Sequence, residues 1–275
     1  MLRVLATLSA VLAVLVAAAA DGKSEERELT FQTGDDFQKD YESQLARGFR
    51  PIDMAVYSEK QVSRVAVIWA NRQQPEFAVQ VGATVEQFEE QSNEYRAKGF
   101  RMVRVAADRA GTGFRYSGIW EKRDEAVHVR VGFAAAKFET DQRELTAEGS
   151  CPLHLTITSV DGKEYYSCVW DVAGEPKREL ERGLAQTEVT RAIPKRAKDG
   201  FRILQVCGYA AGTADRYACV WEKSEGPERE VTIRQTATGL LRSIKRMQMK
   251  GLQPDRISVY PVGGQARFAV VWKAE

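Results

Sequence analysis

The sequence predicts an α+β fold of five tandem strand-helix-strand-strand units. We expect them to form a curved or partly closed antiparallel sheet, half-barrel or solenoid-like, that is decorated with helices. The first observation is the even spacing of the tryptophans, at intervals of 51, 50, 51 and 51 residues: Trp69, Trp120, Trp170, Trp221 and Trp272. A fixed period of this length is the sequence signature of a repeat architecture.

Two further landmarks keep their distance from each tryptophan. A glycine lies 21 residues before it, at Gly48, Gly99, Gly149, Gly200 and Gly251. An apolar residue lies 11 residues before each glycine, at Phe37, Phe88, Phe138, Val189 and Leu240. The units therefore contain no insertion between these landmarks, and each should form the same structure.

The residues around each tryptophan predict a central strand. The position three before it is always Ala or Ser, and the position just before it is always Ile or Val, as in Arg216–Trp221. Both faces of such a strand are apolar or small, which is typical of a strand covered on both sides. The small residues should let another element approach closely. A second strand after the glycine should pair with it as a hairpin.

The stretch before each glycine predicts a helix. Thr84 is a plausible N-cap, and Phe88 and Tyr95 share one helical face because they are seven residues apart. Gly99 and its equivalents fit the left-handed residue that ends a helix. Pro194 should shorten or kink the fourth helix. We set the units at residues 28–74, 75–125, 126–175, 176–226 and 227–275, as one continuous repeat domain over 28–275.

The recurring pattern of Gly-Phe, a hairpin and Arg-Tyr-Ala-x-Val-Trp resembles the polyglycine hydrolase-like structural repeat, also called a bacterial tandem repeat. The resemblance covers Glu28–Glu275. It implies a helix-decorated, partly closed sheet that in this family accompanies a β-lactamase-like serine peptidase domain. Such a nucleophile needs a Ser-x-x-Lys motif, and no serine of this sequence has a lysine three residues later. We therefore expect the repeats without the catalytic domain.

Residues Met1–Ala20 read as a cleavable signal peptide. Arg3 precedes the apolar run Val4–Val16, and four alanines follow before a polar stretch. The run is short for a membrane span, so the protein is expected to be exported, secreted or periplasmic, without stable membrane insertion. The formal net charge of +2 argues against a nucleic-acid partner.

Four cysteines could be oxidised in an exported protein. Cys207 and Cys219 fall on the two strands of one hairpin, Cys151 and Cys168 are their counterparts in the third unit, and a bridge between Cys168 and Cys219 is a further alternative. Buried free thiols are the remaining interpretation, and the spacing does not fit a zinc site. In every case the role is structural.

No catalytic, cofactor-binding or metal-binding residue stands out. His128 and His154 lie in different strands without acidic or cysteine partners at ligand spacing, so we expect ordinary strand histidines. The tryptophans could form a sugar-stacking ladder, but their apolar surroundings favour core packing. The arginines five residues before four of them, Arg64, Arg115, Arg216 and Arg267, should form a repeated structural salt bridge.

The function that the sequence favours is therefore a non-enzymatic repeat scaffold that needs no cofactor and presents a surface to a protein, peptide or glycan. The alternative is a hydrolase with residues on scattered loops, or an accessory subunit of a separately encoded peptidase. A hydrolase would have to break the fivefold pattern, because chemistry needs unlike residues gathered in one place.

Overall fold

The computed structural model describes residues 25–59, 62–71, 75–111, 113–226 and 229–274. The expected leader, Met1–Ala20, lies outside the described residues. Within the described ranges the chain forms fifteen strands and five helices: β1 (Arg27–Thr33), α1 (Gly34–Ala46), β2 (Arg50–Glu59), β3 (Val62–Ala70), β4 (Phe77–Ala83), α2 (Val85–Ala97), β5 (Phe100–Ala110), β6 (Gly113–Lys122), β7 (Val127–Ala134), α3 (Ala135–Ala147), β8 (Cys151–Val160), β9 (Lys163–Asp171), β10 (Arg178–Leu184), α4 (Gln186–Lys198), β11 (Phe201–Ala211), β12 (Ala214–Lys223), β13 (Glu230–Gln235), α5 (Ala237–Gln248), β14 (Leu252–Val262) and β15 (Gln265–Ala274).

Each unit forms one three-stranded antiparallel sheet with one helix, which we call a blade. The tryptophan strand is central, flanked by the first strand of the unit on one side and by the second strand on the other. We call the first strands outer (β1, β4, β7, β10, β13), the tryptophan strands central (β3, β6, β9, β12, β15) and the second strands inner (β2, β5, β8, β11, β14). The prediction of an α+β fold with five tandem units is confirmed. In the described part of the chain the backbone ladders stay separate, as five sheets rather than one.

The helices begin and end as their sequences dictate. Thr84 caps α2 with its side chain, and Gln87 returns a bond to the Thr84 backbone, which completes a capping box. Gly99 follows the helix with a φ of 87°, a conformation that costs glycine nothing. Pro194 lies inside α4, yet α4 has the same length as α1 to α3. Of the two expected effects, shortening is therefore absent in α4, whose Val189 is fully buried in the blade core.

The blades pack face to face. The tryptophan face of one blade, covered by its own helix, meets the small-residue face of the next. Between blades 3 and 4, for example, Phe138 and Trp170 of blade 3 share a core with Ala218 of blade 4. Between blades 5 and 1, Trp272 shares a core with Ala66. Because blade 5 packs on blade 1 in the same way as the others pack in sequence, the five blades form a closed ring.

The inner strands lie around the axis of this ring. Each contacts the next in cyclic order, and β14 contacts β2. Side chains, rather than backbone ladders, join them in the described residues. Thr156 of β8 donates its hydroxyl to the Val105 carbonyl of β5, at 2.7 Å, and Ser258 of β14 accepts from the Gly208 amide of β11, at 3.1 Å. The inner strands are therefore fixed to one another by a few specific hydrogen bonds.

A bulge in every inner strand shapes the axis. The register shifts at the fourth residue after each landmark glycine, for example between Pro51 and Asp53 in β2. A bulge re-aims the side chain that follows it. The re-aimed residues occupy one repeat position but differ in chemistry: Asp53, Arg104, His154, Gln205 and Arg256. We call this set the axial residues.

Four axial residues bond to the backbone of the preceding blade. The Gln205 amide group donates to the Leu155 carbonyl and accepts from its amide, at 2.8 and 2.9 Å. His154 Nδ1 accepts from the Val105 amide at 3.4 Å, and Arg104 Nε donates to the Ile52 carbonyl at 3.1 Å. Asp53 closes the circle, because its Oδ2 accepts from the Ile257 amide of blade 5, at 2.7 Å. The same bridging role is thus performed by four unlike side chains.

Candidate functional site

One position at the start of each outer strand decides how the junction with the preceding blade is filled. In β1, β4, β7 and β10 this position pairs with the residue that follows the tryptophan in the central strand. Arg229 precedes the first paired residue of β13 and holds the same place in blade 5. The five residues are Arg27, Phe77, Val127, Arg178 and Arg229. We call them the junction residues.

Arginine fills three of the five junctions. Arg27 donates to the Pro254 carbonyl at 3.1 Å and to Asp255 at 2.6 Å, and so joins blade 1 to blade 5. Arg229 donates in the same way to the Ile203 carbonyl, at 2.9 Å. Each guanidinium brings several donors to a gap whose far side presents carbonyl and carboxylate oxygens, which is the geometry that arginine fits best.

Apolar residues occupy the other two junctions, and their sizes differ. Phe77 is buried between blades 1 and 2, with the Arg50 guanidinium 5.4 Å from its ring centroid. Val127 stands at the same place between blades 2 and 3 and is only half-buried. A valine leaves open the volume that a phenyl ring or a guanidinium fills elsewhere. The junction between blades 2 and 3 therefore contains a groove.

This groove has a volume of about 550 Å³, which lies in the range of small-molecule and peptide sites. One wall is a single face of α2, formed by Glu89, Ser92, Asn93 and Arg96, and the floor includes Phe88, Met102 and Trp120. The opposite wall is the continuous run 126–131 at the start of β7.

The β7 wall is a strand edge. Successive side chains of a strand point to opposite faces, so a wall made by one face would use alternate residues, whereas six consecutive residues line this groove. In the described part of the chain β7 pairs only with β9. Its second edge thus offers backbone donors and acceptors to the groove, and such an edge is a template for another extended segment.

Charges and hydrogen bonds define the ends of the groove. Arg101 donates to the carbonyls of Arg96 and Phe100, at 3.2 and 2.9 Å, and so places its positive charge at the C-terminal end of α2. Arg96 donates to Asn93 at 2.8 Å. Glu89 lies on the same face of α2, almost two turns before Arg96. The groove therefore carries guanidinium groups at one end and a carboxylate at the other.

The tryptophans lie in the core. All five are at most 1% exposed, and aromatic rings of the helices cover several of them: Phe88 lies 5.4 Å from Trp120 and Phe138 lies 5.6 Å from Trp170, between ring centroids. Phe37, Val189 and Leu240 are buried at the equivalent positions. A sugar needs an open ring face, so these indoles do not form a stacking ladder.

Three indole nitrogens, those of Trp69, Trp221 and Trp272, donate to one repeat position of the outer strand, which pairs with the residue two before the tryptophan. Trp69 donates to Thr30 at 2.8 Å, and Trp272 donates to Thr232 at 2.9 Å. Blade 3 has Arg130 at this position, and a guanidinium cannot accept a hydrogen bond. The Trp170 indole nitrogen is accordingly buried with no partner among the described residues.

The cysteines do not form the bridges that the sequence allowed. All four are buried free thiols. Cys207 lies opposite Ala218 and Cys219 lies opposite Val206, so the two thiols of this hairpin point to opposite faces of the sheet. Burial raises the pKa of Cys207 to about 11.

The other two pairings are not formed either. In blade 3, Cys151 lies opposite Asp171 whereas Cys168 lies opposite Leu155, which separates them along the hairpin. Cys168 and Cys219 belong to the cores of different blade junctions. The strand pairing thus excludes the two disulfides suggested within hairpins. The separate cores exclude the disulfide suggested by equal repeat positions.

The expected repeated salt bridge was wrong for three of the four arginines. Only Arg64 of this set has an ion-pair partner among the described residues, Glu59 at 3.1 Å. The other three donate to the carbonyl of the residue before them: Arg115 to Phe114, Arg216 to Asp215 and Arg267 to Ala266. These arginines lie near the tip of the hairpin, where a backbone carbonyl is the nearer acceptor.

Sequence reasoning missed the axial residues. His154 is 1% exposed, and its Nε2 lies 3.3 Å from Asp53 Oδ1 and 3.1 Å from Gln205 Nε2. Since Nδ1 accepts the Val105 amide, the ring proton belongs on Nε2, the nitrogen that faces Asp53. Arg104 Nε lies 3.2 Å from the same carboxylate oxygen.

The axis keeps one carboxylate charged and one imidazole neutral. Burial lowers the pKa of His154, and the positive charges of Arg104 and Arg256 lower it further. Burial alone would raise the pKa of Asp53. The close contact with His154 and the nearby guanidinium groups outweigh burial and lower that pKa overall. This cluster is enclosed, so it serves the fold rather than a ligand.

Within the described residues, no cluster of three or more His, Cys, Asp or Glu side chains could hold a metal ion. None of the helices in that part of the chain combines the length and the apolar character that crossing a membrane requires.

These features define a class of protein: a tandem-repeat ring whose three-stranded blades, each covered by one helix, surround a buried polar axis. The chain belongs to the family of polyglycine hydrolase-like structural repeats, whose family model matches residues 32–72, 74–123, 125–173, 176–224 and 226–274. The resemblance noted in the sequence is therefore confirmed. No curated protein was found to match the chain.

Proposed function

We propose that this protein is an exported, non-catalytic binding scaffold, and that the groove between blades 2 and 3 binds an extended peptide segment. The observation that carries the proposal is the exchange at the junction position. Val127 stands where the other blades place phenylalanine or arginine, and a groove of about 550 Å³ opens at this junction. A binding site requires one unit to depart from the fivefold pattern. At this junction the departure is the smaller size of one side chain.

The shape of the groove favours a peptide over a glycan. A peptide can add as a strand to the free edge of β7, where backbone hydrogen bonds supply affinity. Alternate side chains of the added peptide would contact Val127 and Val129, which are half-buried and pack against the apolar core. A glycan would want an exposed aromatic face, and Trp120 on the floor is only 1% exposed.

The polar groups of the groove support binding rather than covalent chemistry. Ser92 is the hydroxyl residue of the α2 wall, and it donates to the Phe88 carbonyl of its own helix at 2.6 Å. The serine is thus engaged by its own backbone, in the manner of a helix-surface hydroxyl. Arg96, Arg101 and Glu89 can instead fix the direction of a bound chain through its charges.

The experiment uses a matched pair of variants. Val127→Phe places in the groove the residue that fills the preceding junction, and Phe77→Val opens that junction in return. Peptides selected from a displayed random library by the wild-type protein should lose at least tenfold in affinity, about 1.4 kcal/mol, for Val127→Phe. They should bind Phe77→Val unchanged at the original groove.

Thermal unfolding of both variants separates occlusion from misfolding. A folded Val127→Phe protein that still binds the selected peptides would overturn the groove as the site. Release of product from peptide or ester substrates by the wild-type protein, abolished by a single substitution in the groove, would show a hydrolase instead.

A further inference from the structure

The five helices divide the ring into an acidic side and a basic side. α1 and α2 each carry four acidic residues and one basic residue. α5 carries Arg242, Lys245 and Arg246 and no acidic residue, and α4 carries four basic residues and one acidic residue. The formal net charge of +2 hides this separation. Because α4 and α5 belong to neighbouring blades, their cations lie on adjacent parts of the ring, which we call the basic arc.

The sign of the side-chain charge differs between α2 and α5 at equivalent outward-facing positions. Nine residues before the landmark glycine, α5 has Arg242 where α2 has Glu90. Five residues before it, α5 has Arg246 where α2 has Glu94. All four side chains are exposed. The basic arc therefore faces solvent and results from substitutions on one helical surface.

Most cations of the arc have no ionic partner within the ring. Among the residues that the structure describes, the salt bridges include Arg196 with Glu179 and Lys250 with Glu230. They include none for the six exposed cations of the two helices: Arg191, Lys195, Lys198, Arg242, Lys245 and Arg246. Charges that the fold does not pair remain free for a partner of the opposite sign.

Apolar side chains stand among these cations on α5. Leu241 is 57% exposed and Met249 is 83% exposed. They lie one helical turn on either side of Lys245, so all three follow the same outward surface. Exposed leucine and methionine flanked by Lys and Arg are typical of helices that lie in a membrane interface.

We propose that the basic arc of α4 and α5 docks the ring on an anionic lipid surface, with Leu241 and Met249 entering the interface. Clustered Lys and Arg bind anionic headgroups in proportion to their number, and the two apolar side chains add contact with the acyl boundary. An acidic protein would explain the cations but would leave the exposed Leu241 and Met249 unused. The groove between blades 2 and 3 is at another junction, so docking leaves it open.

The test is co-sedimentation of the purified protein with vesicles of phosphatidylcholine, with or without phosphatidylglycerol. The wild-type protein should sediment only with the anionic vesicles. The double variant Arg242→Glu/Arg246→Glu should lose at least tenfold in apparent affinity, because two attractive charges become repulsive. Leu241→Ser/Met249→Ser should weaken binding while leaving its dependence on phosphatidylglycerol intact.

The matched control is Lys39→Glu, the same charge reversal at the repeat position of Arg242, on the acidic helix α1. It should bind like the wild-type protein. Equal sedimentation with neutral vesicles, or an unaltered affinity of the double variant, would overturn the proposal. So would salt-sensitive self-association without vesicles that the double variant abolishes, because the partner would then be the acidic side of a second copy.

Discussion

Arg27 and Asp255 lie 228 residues apart in the chain and 2.6 Å apart in the structure. The first belongs to the outer strand of blade 1, and the second to the bulge of the inner strand in blade 5. Both side chains are less than 10% exposed. The beginning and the end of the repeat array are therefore joined by a buried ion pair in addition to their apolar contact.

Breaking this pair should weaken the fold strongly. Asp255→Ala removes the buried partner of Arg27 and leaves Glu25 as its remaining ionic partner. A buried pair that loses one partner typically costs about 3–5 kcal/mol of unfolding free energy, and urea unfolding should show a loss that approaches this range. The double variant Arg27→Ala/Asp255→Ala should lose less than the sum of the two single variants, because no buried charge is then left without its partner across the junction.

The pair of Arg47 and Glu28 provides the comparison. Its side chains are 49% and 30% exposed, so Glu28→Ala should cost less than about 1 kcal/mol. Equal losses for Glu28→Ala and Asp255→Ala would mean that closure of the ring does not depend on the buried pair.

Stability should fall as the pH drops below about 6.5, the ordinary pKa of histidine. The folded protein lowers the pKa of His154, whereas the unfolded chain takes up a proton near the ordinary value. The unfolded state then binds more protons than the folded state, so the unfolding free energy decreases by up to about 1.4 kcal/mol per pH unit. Urea midpoints between pH 7 and pH 5.5 measure this slope.

The variant His154→Gln tests the assignment, since glutamine is the axial residue of blade 4. It should flatten the slope in this pH window. A slope that survives His154→Gln would assign the titration to another group.

The indole hydrogen bonds should contribute different amounts to the unfolding free energy in different blades. Thr232→Val removes the acceptor of the Trp272 nitrogen and leaves a buried donor unsatisfied, at a cost of about 1–3 kcal/mol. Thr238→Val, on the exposed surface of α5, is the matched control and should change stability by less than about 0.5 kcal/mol. Chemical denaturation of the two variants, measured side by side, tests this prediction. Equal stabilities would contradict the role of this bond.

The four thiols should stay reduced even after purification from an oxidising compartment. Ellman's reagent should detect four thiols per chain in denaturant without reductant, and almost none in the native protein, because every cysteine is buried. A reducing agent should leave the thermal unfolding midpoint unchanged. Two thiols or fewer in denaturant would show that a disulfide forms after all.

The sequence predicted the blade but not the ring. The order of strand, helix, strand and strand follows from local signals such as the capping residue Thr84, the helix-ending Gly99 and the apolar run before Trp120, and each signal acts within one unit. Closure depends on the angle between neighbouring units. That angle is the sum of packing at every junction, and no single residue of the sequence reports it.

The axial residues and the groove could not be predicted from the sequence, for two different reasons. Asp53, His154 and Gln205 occupy one repeat position, but their side chains share no chemical type, and the bulge that turns them inward has no sequence signature. The groove depends on the size of Val127 relative to Phe77, and this comparison has meaning only once the register places the two residues at equivalent junctions. A repeat-by-repeat alignment of the outer strands is the signal that could have found it.

The unlike axial residues make each blade specific to its place. Gln205 bonds to both the amide and the carbonyl of Leu155, whereas Asp53 only accepts an amide and Arg104 only donates to a carbonyl, so exchanging two blades would mismatch partners at several junctions. Opening the ring at a hairpin tip and linking the start of β1 to the end of β15 would instead preserve every neighbour. We therefore expect this family member to tolerate circular permutation far better than shuffling of its units.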